Sequence, residues 1–184
     1  MKRCMLGLFI LGCGFLGCNG PNSRGNLKEL PDFLEGVWEA RRPRKPTWGI
    51  KLERDGSISK MIHPIAGQVK MSEGSSYEEG PVEGTFALAI MGPCQAQYDP
   101  TTRILRISLQ VEYFHMKLPQ GDLEGRTEDY FEGPVSEDGK TWQAKWRSYN
   151  YLKGAQDPDK EAIDANPEEL TFQKLDLSQM KPES

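Results

Sequence analysis

The feature that most constrains the fold is a long alternation of apolar and polar side chains across residues 103–117. The apolar members of the run occupy every second position: Leu105, Ile107, Leu109, Val111 and Tyr113. Alternate residues of a β-strand lie on the same face, so the run predicts a strand with one buried face and one polar face. Such strands belong to antiparallel sheets, because one side of the sheet stays in water.

Shorter alternating runs, separated by turn residues, occupy much of the remaining chain. They predict strands over residues 48–52, 57–63, 82–90, 94–98, 127–135, 141–152 and 170–175. Asp55-Gly56 favours a tight hairpin turn between the first two of these strands, and Gly92-Pro93 is predicted to end the third. Residues 136–140 are predicted to join another hairpin.

One helix is predicted over residues 158–165. Asp157 precedes it as the N-cap, Pro158 occupies the first helical position, and Asn166-Pro167 ends the segment. Eight or nine short strands in sequence, with one helix before the last strand, predict an all-β antiparallel meander. Such a meander closes into a barrel or splits into a β-sandwich. We expect one domain over residues 33–175 and a disordered tail over residues 176–184.

The N-terminal segment has the organisation of an export signal. Lys2 and Arg3 precede an apolar stretch, residues 5–16, that is shorter than the roughly 20 residues needed to span a bilayer. Residues 1–17 are therefore predicted to be a signal peptide. Residues 18–32 are mostly polar and predict a flexible tether.

The sequence Phe15-Leu16-Gly17-Cys18 resembles the lipobox of bacterial lipoproteins. In that family the chain is cut before the cysteine, whose thiol receives a lipid. The resemblance implies a lipid anchor at Cys18 and a location in the cell envelope, facing the periplasm or the exterior. Two or three acyl chains give stable anchoring, whereas one is marginal. Ile10-Leu11-Gly12-Cys13 is the alternative, and lipidation at Cys13 would permit a disulfide between Cys18 and Cys94.

Gly36-Val37-Trp38 on the first strand, followed by hairpins, a helix and a short last strand, resembles the lipocalin-like barrels, whose first strand carries Gly-x-Trp. The resemblance implies a barrel that holds a small apolar or amphipathic ligand. The candidate ligand-binding residues are Trp38, Phe86, Tyr113, His115, Trp142 and Trp146. Most of them lie on the apolar phase of a predicted strand. Packing in the core is the default interpretation of the aromatic members, and lining a ligand cavity is the alternative.

Charge and residue content argue against several other classes of function. The 184-residue chain has a net charge of −4, and loss of Lys2 and Arg3 with the signal peptide changes this to −6. A mildly acidic body is poorly suited to binding nucleic-acid phosphates. The cluster of residues 41–46 is the exception, and it is predicted to be a solvated turn that could alternatively meet anionic headgroups.

No catalytic or metal-binding motif is predicted, and no cofactor is implied. His63 and His115 have no partner at a useful spacing, and a nucleophilic pair of Cys94 with a histidine lacks an orienting third group. Four acidic residues match positions of a calcium-loop template, but Ala162 occupies its glycine position. These acids are Asp157, Asp159, Glu161 and Glu168.

We therefore expect a membrane-tethered, non-enzymatic lipoprotein that binds a small apolar or amphipathic molecule inside a β-barrel. The alternative is an interaction or scaffold module of the cell envelope whose core is packed solid.

Overall fold

The computed structural model describes residues 29–42, 45–63, 67–71, 76–77, 86–118 and 121–176. These residues form ten strands and one helix. In chain order the elements are β1 (Gly36–Arg42), β2 (Lys45–Leu52), β3 (Ile58–His63), β4 (Gly67–Lys70), β5 (Ser76–Tyr77), β6 (Phe86–Asp99), β7 (Ile104–Leu118), β8 (Gly121–Pro134), β9 (Thr141–Leu152), α1 (Lys160–Ala165) and β10 (Glu168–Lys174).

The strands form one antiparallel sheet in the order β4-β3-β2-β1-β10-β9-β8-β7-β6-β5. The sheet curls until the turn after β2 meets β6, where Ser57 forms a bridge with Gln95 and the Ala96 N–H donates to the Gly56 carbonyl at 2.8 Å. Eight longer strands therefore make a nearly closed barrel, with β4 and β5 as short edges. The predicted antiparallel meander, barrel closure and single helix before the last strand are confirmed.

One end of the barrel, called the lower end here, contains the turns at residues 53–57, 99–103 and 135–140. Residues 29–35 cover this end: the Leu30 N–H donates to the Arg54 carbonyl, and Trp38 Nε1 donates to the Leu34 carbonyl at 2.9 Å. Leu30 and Leu34 are both buried. The folded region thus extends into the segment predicted to be tether, because these two leucines close the core from below.

The longest strand is β7, at 15 residues, as the alternation predicts. Its register against β8 shifts between Val111 and Phe114, which is the signature of a β-bulge. A bulge places two residues opposite one and so reverses the alternation beyond it. Phe114 is buried in consequence, and the prediction that Tyr113 and His115 continue the inward phase is wrong.

The strand predicted to end at Gly92-Pro93 does not end there. A single strand, β6, continues through these residues and pairs with β7 from Phe86 to Asp99, with register shifts around Met91 and Cys94. The proline is accommodated at this irregularity, because a missing N–H costs least where the ladder is already interrupted.

Helix α1 begins later than predicted. Its N-cap is Asp159, whose side chain accepts a hydrogen bond from the Ala162 N–H, so the prediction of Asp157 as N-cap is wrong. Either aspartate has the right chemistry for the position, and the connection from β9 selects the second one.

Within the described part of the chain, none of the helical residues form a segment that could span a bilayer.

Candidate functional site

The barrel interior near the lower end is filled by aromatic rings. Trp38, Trp142 and Phe172 have no exposed surface, and Phe131 has almost none. The Trp142 and Phe172 rings stack with centroids 4.7 Å apart, and Phe131 meets Phe172 edge-on at 6.0 Å. Trp142 Nε1 also donates to the Gly133 carbonyl at 3.1 Å. Of the candidate ligand-binding residues, Trp38 and Trp142 therefore lie in solid packing.

Trp146, another candidate residue, marks the upper limit of this packing. Its ring lies against Trp48 and Phe131, with centroids 5.2 and 6.2 Å away. Its Nε1 donates to Asp129 Oδ1 at 2.9 Å, and the Asp129 residue is only 2% exposed. Burial raises the pKa of the Asp129 carboxyl to about 6, although hydrogen bonds from Trp146 and Ser148 act in the opposite direction.

Above Asp129 the inward face becomes polar. In the β8–β9 register Asp129 lies opposite Ser148 and Thr127 lies opposite Asn150. Thr127 is buried, and its hydroxyl has no hydrogen-bond partner among the described residues, whereas Asn150 is exposed. The interior thus changes within a few residues from a sealed aromatic core to a polar, solvent-accessible upper part.

Arg42 contributes to the same upper part. Its side chain is 12% exposed, forms an ion pair with Glu168 at 3.0 Å, and places its guanidinium carbon 5.9 Å from the centroid of the Trp146 ring. Arg41 pairs instead with Glu39 at 2.9 Å on the surface. Part of the predicted basic turn is therefore used for internal contacts, and residues 43 and 44 lie outside the described residues.

Two other candidate residues, Tyr113 and His115, lie on the outer face of β7. Tyr113 is opposite Ile90, and His115 is opposite Glu124, with its Nε2 3.1 Å from Asp122 Oδ2. The backbone of Phe86 pairs with Lys117, but its side chain lies outside the described residues, as does that of His63. The bulge in β7 is what separates Tyr113 and His115 from the interior aromatics.

The outer face of β6–β9 carries a groove of about 380 Å³, bordered on one side by α1. We call it the outer groove. Its wall comes mainly from the outward positions of four adjacent strands and from one helix residue. The outward residues that line it are Gln95, Gln97, Arg106, Ser108, Tyr130, Glu132, Arg147, Tyr149 and Asp164, and the buried residues Ile107 and Phe131 also line it.

Charges in the outer groove occur in pairs. Arg106 Nε lies 2.9 Å from Glu132 Oε2, and Arg147 Nε lies 3.4 Å from Asp164 Oδ1. The first contact is a hydrogen-bonded ion pair; the second lacks hydrogen-bond geometry, since Arg147 Nε is buried without a hydrogen-bond partner among the described residues. The Arg147 guanidinium is thus held beside a carboxylate without saturating its donors.

Tyrosines form the upper wall of the outer groove. The Tyr130 and Tyr149 rings meet edge-on at 5.8 Å, and the Tyr149 hydroxyl donates to Asp164 Oδ1 at 2.5 Å. This hydrogen bond, together with burial, raises the pKa of Tyr149 to about 12. The bond ties α1 to β9, and Lys160 adds a second contact, with its Nζ 5.6 Å from the Tyr149 ring centroid. Tyr149 is therefore structural, whereas Tyr130 is only half-buried.

Sequence reasoning missed the outer groove. The available signal is the set of polar positions in the alternating runs, among them Arg106 and Arg147, but the alternation by itself predicts only a solvated face at these positions. Nothing in the sequence indicates that α1 packs over β9 and borders that face.

The structure does not bring Cys94 and His115 together. Cys94 lies opposite Leu109 on the inward side, while His115 is on the outer face about 20 Å further along β7, at about 3.4 Å per residue. The Cys94 sulfur lies 3.5 Å from the Gly92 carbonyl. Among the described residues no group of three or more His, Cys, Asp or Glu side chains could hold a metal ion. The calcium-template acids are used elsewhere: Asp159 caps α1 and Glu168 pairs with Arg42.

The predicted lipidation site, Cys18, and its alternative, Cys13, lie outside the described residues. No protein-family model matches the chain, and neither a curated protein nor a solved structure is significantly similar to it.

Proposed function

We propose that this protein is a non-enzymatic, membrane-tethered binding module of the cell envelope, and that its outer groove holds the ligand. The observation that supports this is the outer groove itself, a recess of about 380 Å³ that is lined mainly by polar and aromatic residues on the outward side of β6–β9. Pockets of roughly 300–1,000 Å³ are the usual size for small ligands. The alternative predicted from the sequence, an interaction module with a solid core, fits this arrangement better than a ligand deep in the barrel.

The packing of the lower interior also favours a ligand in the outer groove over a ligand deep in the barrel. Trp38, Trp142 and Phe172 have no exposed surface, so a ligand among them would have to displace close-packed rings. Opening such a core costs several kcal/mol per large side chain. A ligand on the outer face requires no such rearrangement, because the groove already exists.

The tether completes the proposal. A lipid on Cys18 would hold the barrel close to a membrane surface, where envelope components are the most abundant partners. Metabolic labelling with a palmitate analogue should mark the wild type and not the Cys18→Ala variant. Label that persists in Cys18→Ala and disappears in Cys13→Ala would move the anchor to Cys13, and no label in the wild type would remove the tether from the proposal.

The outer groove can be tested in living cells by photo-crosslinking of the full-length protein. The photo-reactive residue benzoylphenylalanine replaces Gln110, an outward residue of β7 beside Tyr130 at the rim of the groove, so every proposed ligand contact is kept. In the control it replaces Gln143, an exposed glutamine on the outer face of β9 outside the groove. We expect ultraviolet-dependent adducts from position 110 that Arg147→Ala abolishes and Lys145→Ala preserves. Equal adducts from positions 110 and 143 would contradict a ligand in the groove.

A second candidate function is retention of a small apolar or amphipathic molecule in the upper interior. The observation that favours it is the polar layer of Asp129, Thr127 and Arg42 directly above the Trp146 ring. There a polar head could meet the carboxyl while an apolar part contacts the indole. Native mass spectrometry of the mature protein purified from its own cells should then reveal a bound molecule that Asp129→Ala releases. A spectrum containing only the unliganded mass would exclude this candidate.

A further inference from the structure

We infer that the ligand of the outer groove is a neutral carbohydrate. This inference rests on the proposed function, since it specifies the chemistry of the ligand at the same site. Four features of the outer groove support it: its charges are paired, it presents glutamine amides, it presents the Tyr130 ring, and the backbone of its strands is already hydrogen-bonded.

The charge pattern argues against a charged ligand. Arg106 is paired with Glu132, and Arg147 lies beside Asp164, so the groove presents equal numbers of cationic and anionic groups. An anion attracted by either guanidinium would be repelled by the adjacent carboxylate at nearly the same distance. A hydroxyl can donate to the carboxylate and accept from the guanidinium, because it has one donor and two acceptor sites.

Two exposed glutamines of the groove, Gln95 and Gln97, also favour a neutral ligand. Gln95 lies opposite Ser108 and Gln97 lies opposite Arg106 across the β6–β7 ladder, so amide, hydroxyl and guanidinium groups share one patch. A carboxamide offers donors and acceptors together, as adjacent sugar hydroxyls do. Neighbouring hydroxyls of a pyranose can therefore be satisfied in pairs without introducing charge.

Tyr130 supplies the apolar part of the recognition. Its ring is half-buried and is held edge-on by Tyr149, which is itself fixed by its hydrogen bond to Asp164. An aromatic face carries partial negative charge and attracts polarised hydrogens, such as those on the C–H face of a sugar ring. A ring fixed in this way loses little conformational freedom when the ligand binds.

The paired backbone argues against an extended peptide. Peptides that bind to sheets usually add a strand to an open edge, where unpaired N–H and carbonyl groups are available. Strands β7 and β8 have hydrogen-bonded neighbours on both sides, and β6 pairs with β7 along the length of the groove. Recognition in the outer groove must therefore come from side chains, which suits a ligand whose own groups are hydroxyls.

The test is titration of the full-length mature protein in a sugar-free detergent such as lauryldimethylamine oxide. The neutral probes are chitotriose, cellotriose, maltotriose and xylotriose; trigalacturonic acid is the anionic probe and trialanine the peptide probe. Saturation-transfer NMR detects contact, and calorimetry measures the Kd. We expect at least one neutral trisaccharide to bind, with affinity reduced tenfold or more in Tyr130→Ala and Gln97→Ala and unchanged in Gln143→Ala.

Tyr130→Ala removes a half-buried ring, so its melting temperature is measured first. If that temperature falls, the conclusion is drawn from Gln97→Ala alone, because Gln97 is exposed. Binding of trigalacturonic acid or trialanine in place of every neutral trisaccharide would overturn the carbohydrate assignment, and so would binding of none of the probes. If position 110 still forms groove-dependent crosslinks in cells, the binding function stands and only the ligand class is wrong. If those crosslinks are also absent, both proposals fail.

Discussion

The inner and outer faces of β6–β9 belong to the same four strands, yet they have opposite physical character. Inward residues such as Ile107, Phe131 and Trp142 are almost completely buried in one core cluster, where the rings of Phe131 and Trp142 lie side by side. Their outward neighbours Arg106 and Tyr130 line an open groove. Close packing leaves the lower part of the inner face no space for a ligand, whereas the outer face is not packed against anything there. The difference teaches that the buried tryptophans of this sequence serve folding, and that the surface proposed for binding lies on the positions between them.

The largest expected effect comes from the inner face. Trp142→Ala removes a fully buried ring that stacks on Phe172, and it should lower the free energy of unfolding by about 3–5 kcal/mol. The neighbouring outward substitution Gln143→Ala should change it by less than about 0.5 kcal/mol. Urea unfolding followed by tryptophan fluorescence measures both. A cost below about 1 kcal/mol for Trp142→Ala would mean that the lower interior is not packed solid.

The second prediction concerns Asp129, where the inner face becomes polar. Its pKa of about 6 in the folded protein exceeds the 3.8 of the ordinary aspartate, so between these values the folded state holds a proton that the unfolded state has lost. The higher pKa of Asp129 in the folded state therefore contributes about 3 kcal/mol to the free energy of unfolding below about pH 4. This contribution is lost as the pH rises through 6. Asp129→Asn keeps an acceptor for Trp146 and should not lose stability in this window.

Urea unfolding of the wild type and Asp129→Asn between pH 4 and pH 8 tests this directly. The difference between the two proteins removes the contributions of other carboxylates, including Asp55, whose hydrogen bonds with Ser57 lower its pKa. A constant difference across the range would show that Asp129 is not held in a desolvated interior.

A smaller effect is expected where α1 borders the outer face. Tyr149→Phe removes the hydroxyl that donates to Asp164 and should cost about 0.5–1.5 kcal/mol, because one hydrogen bond is lost while the ring remains packed. Hydrogen exchange of the amides in α1 should accelerate relative to those of β9. Equal acceleration in both elements would show that the bond stabilises the whole barrel and does not specifically hold the helix.

The smallest expected effect on stability occurs in the outer groove. Gln97→Ala and Gln143→Ala both shorten an exposed glutamine, so each should leave the melting temperature within about 2 °C of the wild type. Only Gln97→Ala should weaken ligand binding. Loss of binding in both variants would break the distinction between the groove and the rest of the outer face.

Local patterns predicted much of the fold. The alternation in residues 103–111 defines most of β7. Asp55-Gly56 forms the predicted hairpin turn between β2 and β3, with Gly56 at a φ of +81°, a conformation that glycine adopts readily. Both features depend only on neighbouring residues. The bulge near Tyr113 was not predictable in this way, because an extra residue becomes visible only when the register with β8 is known.

The candidate site was less predictable than the fold. The alternation predicts that Trp38, Trp142 and Trp146 face inward, but whether an inward aromatic residue fills a core or lines a cavity depends on which side chains face it from the opposite wall. The rings of Phe131 and Phe172 lie against Trp142, so Trp142 fills a core. The outer groove combines Gln97, Tyr130 and Asp164, which are far apart in the chain, so no local pattern relates them.

The sequence by itself determined that the chain forms antiparallel strands with one apolar face each, since strand periodicity is a local property of the backbone. It also contains the lipobox-like segment on which the proposed tether depends. Only the tertiary structure decided that the barrel is nearly closed, that its lower interior is solid, and that α1 and β6–β9 border an open groove. The physical reason is that packing and pocket formation are relations between distant segments, and they exist only once the sheet has curled and brought those segments together.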